Sequence, residues 1–85
     1  MTTASPPIVT AQQRRILSWI ADYIAAFGFS PTTREGMQAF GFRSLNGWVC
    51  HIKPLAKKGL VTLVEGRSRT LRVTQAGMEV LSDGM

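Results

Sequence analysis

The sequence is poor in the residues that build disulfide frameworks, metal centres and hydrolytic active sites. It has one cysteine, Cys50, and one histidine, His51, so neither an intramolecular disulfide nor a zinc-binding Cys/His set can be assembled. Its five carboxylates are scattered, and it has no glycine-rich phosphate loop and no Ser-His-Asp arrangement with supporting context. We therefore expect no catalytic residue, no metal, no cofactor and no enzymatic activity.

Long apolar runs and a secretory leader are also missing. No run approaches the ~20 apolar residues that a membrane span needs. The first nine residues lack a charged start followed by a long apolar core, so they do not resemble a signal peptide. We expect a cytoplasmic protein, of the bacterial cytosol or nucleoid, with a phage origin left open. Its length of 85 residues indicates one domain, residues 10–82, with a flexible arm at 1–9 and a frayed tail at 83–85.

Acidic residues are scarce in the second half of the chain. The net charge is +5, yet residues 34–72 hold eight Lys and Arg against two Glu, so the rest of the chain is nearly neutral. No carboxylate occurs between Arg43 and Val64. A basic half on a small domain is typical of nucleic-acid binding. An acidic protein partner would also fit this charge, whereas no free amphipathic helix indicates a membrane.

Capping residues and hydrophobic periodicity predict three helices. The first begins at Thr10, with Gln13 at capping-box spacing, and stops at Gly28; the second begins at Thr32, with Glu35 as its capping partner. The third begins at Ser44, runs over about residues 45–58 and stops before a glycine. Their predicted buried residues are Ile16, Trp19, Ile20, Tyr23, Ile24 and Phe27, then Met37 and Phe40, then Trp48, Ile52 and Leu55.

After Gly59 the pattern changes to that of a β-hairpin. Residues 60–64 and 70–74 are rich in β-branched and aliphatic residues, and the loop 65–69 contains a glycine. A short final helix, Gln75 to Leu81, is predicted with Thr74 as its cap and Met78 and Leu81 as buried residues. The fold class is α+β, mainly helical, in a winged helix-turn-helix arrangement. Its third helix would enter the DNA major groove, and its hairpin, the wing, would lie on the backbone or minor groove.

Several segments resemble the N-terminal DNA-binding domain of LexA-type repressors, which control the SOS response to DNA damage. The resemblance covers roughly residues 10–73, and its most specific part is Ser44, Asn46, His51 and Leu55, followed by a basic turn, a glycine and the hairpin. The other similar segments are Thr10–Gln13, Pro31–Glu35, Gly41–Gly47, Leu55–Gly59 and Gly66–Arg69. The family's C-terminal self-cleaving peptidase domain has no counterpart in this sequence, so we expect a stand-alone DNA-binding domain.

The resemblance implies roles for individual residues. Ser44 and Asn46 match positions that contact DNA at the start of the recognition helix, while Gly47, Val49 and Cys50 match positions against the groove. Lys53 and the wing match positions that touch phosphate. With Lys57 on the same helical face and Arg34 near a helix start, the full set of predicted DNA-binding residues is Arg34, Ser44, Asn46, Gly47, Val49, Cys50, Lys53, Lys57, Arg67, Ser68 and Arg69.

Side-chain chemistry leaves some of these roles open. Asn46 can pair with adenine N6 and N7, or act as a second helix cap. Cys50 can pack against a thymine methyl group, or be a tolerated surface residue. Arg67 and Arg69 suit phosphate contact or a narrow minor groove, but also a solvated loop. His51, without an acidic partner in the sequence, is expected to be a packed or capping histidine.

The sequence departs from the family at several positions. Val49 and Cys50 replace residues that in some relatives are acidic and read bases, so the target sequence cannot be transferred. Pro54 removes a backbone donor within the third helix, and we expect a kink or break between Lys53 and Leu55.

Two further departures concern packing. Gly36 replaces an aliphatic residue, and we expect Met37 to fill its space. Trp48 stands at a buried position that is usually smaller.

The predicted function is a sequence-specific regulator of transcription that binds double-stranded DNA and represses by occupying a promoter. Because one small domain makes few base contacts, we expect a homodimer on a repeated site. One alternative is a protein-interaction module, such as an anti-repressor or a complex subunit, which an exposed Trp48 would favour. Another is a nucleoid or single-strand binder without sequence preference, which stacking aromatic residues on the basic face would favour.

Overall fold

The computed structural model describes residues 9–64, 66–67 and 69–83. Over these residues the chain forms four helices and a two-stranded antiparallel sheet, which confirms the predicted mainly helical α+β class. The elements in chain order are α1 (Ala11–Phe27), α2 (Thr33–Ala39), α3 (Leu45–Lys57), β1 (Val61–Thr62), β2 (Arg72–Val73) and α4 (Gln75–Asp83). Most of the predicted flexible arm, and residues 84 and 85 of the predicted tail, lie outside the described residues.

Both predicted capping boxes are present. The Thr10 hydroxyl accepts the Gln13 backbone N–H at 3.0 Å, and the Gln13 side chain accepts the Thr10 N–H at 3.1 Å. The same exchange at α2 joins Thr32 and Glu35 at 3.1 and 2.8 Å. Each box satisfies two backbone donors that a helix start leaves unpaired, so both helices begin at the predicted residues.

The core lies where α1 and α3 pack against the hairpin. Its buried apolar residues include Leu17 of α1, which the sequence prediction left out although it lies three residues before Ile20. The predicted burial of Phe27 was wrong, since this residue is 58% exposed. The apolar stripe of α1 continues one helical turn beyond the other elements that pack on it. The buried set is Ile16, Leu17, Ile20, Trp48, Ile52, Leu55, Leu60, Val61 and Leu71.

The Trp48 side chain occupies the space that Gly36 leaves open. A Cβ added at Gly36 would lie 2.5 Å from two indole carbons and 2.6 Å from a third. The indole is 2% exposed, lies edge-on to Trp19 with ring centroids 5.7 Å apart, and packs at a tilt against Phe40 at 5.9 Å. The space is therefore filled by Trp48 across the α2–α3 contact, which corrects the expectation that Met37 fills it.

Helix α3 continues through Pro54 without the expected break. Ile52 and Leu55, on either side of the proline, are 4% and 0% exposed. Burying each of these side chains contributes about 1.5–3 kcal/mol, which offsets the ~3 kcal/mol that an interior proline costs. The helix ends one residue earlier than predicted, at Lys57, and the Lys58 N–H donates to the Pro54 carbonyl at 3.0 Å.

The strands are shorter than predicted. Among the described residues of the hairpin, the paired ones are Val61 with Val73 and Thr62 with Arg72. Beyond them the Thr70 side chain replaces the sheet ladder, since its hydroxyl accepts the Val64 N–H at 2.9 Å and lies 3.2 Å from the Val64 carbonyl oxygen. A side chain, and not further strand pairing, therefore closes the base of the wing.

Helix α4 returns to pack beside α1. Its predicted cap is confirmed, because the Gly77 N–H donates to the Thr74 hydroxyl at 3.1 Å. The helix continues to Asp83, and the predicted burial of Met78 was wrong, since this side chain is 48% exposed while Val80 and Leu81 pack against the core. The Arg14 guanidinium donates to the Val80 carbonyl at 2.7 Å and joins the two helices.

Candidate nucleic-acid interface

Helix α3 presents one polar, basic face to solvent. Asn46, Cys50, Lys53 and Lys57 are all exposed, whereas the apolar residues on the opposite side of the helix are buried. The two faces separate as the periodicity predicts. Since no carboxylate occurs from Arg43 to Val64, nothing within this segment offsets the positive charge of the face.

The start of α3 leaves the Asn46 amide free of a structural role. The N-cap is Ser44, whose exposed hydroxyl accepts the Gly47 N–H at 3.3 Å. The Asn46 side chain is exposed and makes no hydrogen bond to another described residue. A hydrogen-bonding side chain at the exposed end of a helix is thus available for an external partner.

A stacked pair of rings supports this first turn from behind. The Phe42 ring lies parallel to the His51 ring, with centroids 5.1 Å apart and an interplanar angle of 13°. Phe42 also packs against Gly47, where an added Cβ would lie 3.3 Å from the Phe42 Cβ. His51 is therefore a packed histidine, as expected, and Gly47 allows the chain before α3 to approach the helix closely.

A groove brings the basic residues of α3 and the wing together. It has a volume of about 530 Å³ and lies between α3, the start of α2 and the wing. Lys53 contributes from α3, Arg67 and Arg69 from the wing, Thr33 from α2, and half-buried Val49 from the side of α3. Lys53 precedes Arg67 and Arg69 by 14 and 16 residues in the sequence, yet all three cations lie on one side of the molecule.

Arg69 is engaged within the protein. Its two terminal nitrogens donate to the two Glu35 carboxylate oxygens at 3.3 and 3.2 Å, and one of them also donates to the Ser30 carbonyl at 3.1 Å. The guanidinium carbon lies 4.7 Å from the centroid of the Phe29 ring. Both arginines are exposed, but the Arg67 side chain has no such hydrogen bond or ion pair with another described residue.

Glu35 is the centre of this arrangement. The Thr32 backbone N–H holds the pKa of the Glu35 carboxyl below its ordinary value of 4.5, and the Tyr23 hydroxyl and Arg69 add to this effect against partial desolvation. The Tyr23 hydroxyl donates to Glu35 at 2.9 Å. The pKa of Arg69 is raised in turn by its interactions with Tyr23 and Glu35. The pair therefore stays ionised at neutral pH.

Basic residues also occur on α2, just before the Ser44 cap and at the end of α3. Arg34 is exposed in the first turn of α2, and Ser68 lies outside the described residues. Arg43, which the sequence analysis did not select, is exposed immediately before the Ser44 cap. The sequence could have indicated a role in DNA binding, because Arg43 stands in the predicted turn between the second and third helices. Lys58 donates to the Gln13 side chain at 3.1 Å and joins the end of α3 to α1.

The described part of the chain lacks two other kinds of site. No helix there is long and apolar enough to cross a membrane. Among the same residues, no three His, Cys, Asp or Glu side chains are grouped so that they could hold a metal ion.

Comparison with known proteins gives one consistent result. The family model described as LexA DNA binding domain matches residues 8–70. The LexA repressor of Polaromonas naphthalenivorans (strain CJ2) is 41% identical over 80 residues, which are 94% of this chain and 34% of the relative. The LexA repressor of Pectobacterium carotovorum subsp. carotovorum is 42% identical over 66 residues, 78% of this chain and 33% of the relative. That of Teredinibacter turnerae is 40% identical over 67 residues, 79% of this chain and 34% of the relative. The chain spans about a third of the length of these curated relatives.

Proposed function

This chain belongs to the family of LexA DNA-binding domains, and on that premise we propose that it binds double-stranded DNA at a specific sequence and represses transcription by occupying a promoter. The observation that carries the proposal is the shared surface. Asn46 and Lys53 are exposed on α3, and Lys53 and Arg67 line one groove between α3 and the wing.

The dimensions of α3 suit the major groove. An α-helix with its side chains is about 10–12 Å across, and the major groove of B-DNA is about 12 Å wide. The Asn46 amide, exposed in the first turn, has the donor and acceptor needed to pair with adenine N6 and N7. In line with their predicted roles, we assign Ser44, Gly47, Val49 and Cys50 to the surface of α3 that faces the DNA major groove.

The exposed cations supply contacts to phosphate. Lys53 and Lys57 on α3, Arg34 on α2 and Arg67 on the wing are all exposed, and we assign them to phosphate contacts beside the DNA-facing side of α3. Each phosphate contact releases counterions and adds about −0.9 to the slope of log affinity against log salt. We add Arg43 to this group because it is exposed beside the helix start.

One copy of this domain would bind DNA weakly. Single modules of this size bury about 600–1,000 Å² on DNA and read few bases. We propose that two copies bind a repeated site as a homodimer, that the protein acts in the bacterial cytosol or nucleoid, and that it has no enzymatic activity of its own. Because the relatives are LexA repressors, we extend the proposal to control of the SOS response.

A protein-interaction module is the less favoured function. It would gain weight from an exposed aromatic anchor on the basic face, since such residues dominate protein interfaces. Trp48 is 2% exposed and offers no such anchor. A single-strand binder would stack bases on aromatic side chains, but α3 carries no aromatic residue on its exposed face.

Selection of bound sequences from a random duplex pool tests the proposal. We expect one enriched motif whose half-site spacing gives the number of bound copies. Asn46→Ala should weaken binding of the selected duplex by 1–3 kcal/mol, roughly five- to 150-fold, and relax the base preference at one position. Gln12→Ala, which removes an amide from α1, is the matched control. The absence of an enriched motif, or equal affinity for selected and scrambled duplexes, would overturn the proposal.

A further inference from the structure

We propose that Arg69 is a positioning residue that joins the wing to the start of α2 through Glu35, and so keeps Arg67 beside Lys53. The inference rests on the proposed function, because it assigns to the wing arginines two different tasks in DNA binding. Arg67 meets phosphate, and Arg69 holds the wing where Arg67 can do so.

The contacts connect three elements of the fold. One Glu35 oxygen accepts hydrogen bonds from the Thr32 N–H at 2.8 Å, the Tyr23 hydroxyl at 2.9 Å and Arg69 at 3.3 Å. The other oxygen accepts the second Arg69 nitrogen at 3.2 Å. Glu35 thereby joins α1, the cap of α2 and the wing at one carboxylate, in the two-pronged geometry that suits arginine and not lysine.

The same contacts make Arg69 a poor partner for DNA. Both of its terminal nitrogens already donate to a carboxylate, and its guanidinium packs against the Phe29 ring. A phosphate that approaches the remaining N–H groups of Arg69 meets the negative charge of the adjacent Glu35 carboxylate, which repels it. Arg67 lines the same groove without such a pairing among the described residues.

The backbone gives a second, independent observation. Arg69 has a φ of +59°, in the left-handed region that a residue with a Cβ seldom adopts. Such conformations persist where the surroundings determine them strongly. Here the strand ladder is two residue pairs long, so side-chain contacts must hold the rest of the wing. Thr70 supplies those at its base, and Arg69 supplies those to Glu35 of α2.

Two substitutions separate positioning from direct DNA contact. Arg69→Lys keeps the positive charge but loses the fork that binds both Glu35 oxygens. Glu35→Gln keeps a residue type that completes the capping box and removes the negative charge. If Arg69 contacted DNA, Glu35→Gln would free it and bind DNA as well as the wild type or better. If Arg69 positions the wing, both variants should bind more weakly.

For each variant we expect the Kd for the selected duplex to rise about three- to tenfold. This is the rise that results when the wing occupies its DNA-binding position in about a third to a tenth of the molecules. The double variant should be no weaker than either single one, because both break the same contact. Arg72→Lys and Glu79→Gln, at exposed positions on β2 and α4, are the matched controls and should leave Kd unchanged. An unchanged or lower Kd for Glu35→Gln would overturn the inference.

A measurement on the free protein separates this inference from the proposed function. We expect Arg69→Lys, which leaves the capping residues Thr32 and Glu35 in place, to lower the backbone {1H}-15N NOE of Gly66 and Arg67 relative to wild type, with an unchanged helical circular dichroism spectrum. This result would support the positioning role even if no duplex were bound specifically. Unchanged NOE values at these two residues would overturn it, whatever the DNA titrations show.

Discussion

The contact between Gly36 and Trp48 predicts that adding one methyl group to α2 will destabilise the protein. In most helices, replacing an interior glycine by alanine stabilises by about 1 kcal/mol. Here the new Cβ would lie 2.5 Å from the indole, closer than such atoms approach. The indole cannot move freely because it is buried and packed against Trp19 and Phe40. Overpacking of this kind costs about 1–3 kcal/mol, so we expect Gly36→Ala to be destabilising by up to about 2 kcal/mol.

A double-mutant cycle isolates this contact. Trp48→Leu alone should cost about 2–4 kcal/mol, because it removes a large buried side chain. In that background the added methyl group has room, and Gly36→Ala should stabilise by about 1 kcal/mol. The two substitutions should therefore couple by about 1–3 kcal/mol.

Urea unfolding followed by circular dichroism at 222 nm gives the free energy of unfolding of the wild type, the two single variants and the double variant. This measurement does not depend on the fluorescence of Trp48. Ala25→Gly, at an exposed position on α1, gives the ordinary alanine-to-glycine difference as a control. The reasoning would be refuted if Gly36→Ala stabilised the wild-type protein, or if the cycle showed no coupling.

Three further predictions follow from single residues. Arg67→Gln should reduce the magnitude of the slope of log affinity against log salt by about 0.9, measured by fluorescence anisotropy on the selected duplex. Folding lowers the pKa of Glu35, chiefly through the hydrogen bond from the Thr32 N–H. The ionised Glu35 therefore stabilises the protein fully above its ordinary pKa of 4.5, and this stabilisation is lost as the pH falls through the folded-state pKa. Between pH 6 and about pH 3, the urea midpoint should fall more for wild type than for Glu35→Gln. Pro54→Ala should raise the free energy of unfolding by roughly 1–3 kcal/mol because it restores a helix donor, and an unchanged or lower melting temperature would contradict this.

The features that could be predicted from sequence are those that depend on neighbouring residues. The capping boxes at Thr10 and Thr32 join residues three positions apart, so their chemistry is visible in a short window. The separation of α3 into a buried and a basic face follows from its period alone. These local rules were sufficient to place Asn46 and Lys53 on the exposed side of the helix.

The features that sequence could not predict depend on contacts between distant residues. Of the kink or break predicted at Pro54, the break did not occur, because burial of Ile52 and Leu55 in the core outweighs the local cost of proline. Period alone predicted burial of Phe27 and Met78, but not where the covering elements end. The pairing of Arg69 with Glu35 spans 34 residues, and two arginines in one loop gave no sign that their partners would differ.

The most direct test of the proposed surface is an NMR titration of the 15N-labelled protein with the selected duplex. The account predicts that the largest amide shift changes fall on Ser44, Asn46, Lys53 and Arg67, with small changes on α4. Changes concentrated on α4, with the exposed face of α3 and Arg67 unaffected, would contradict it.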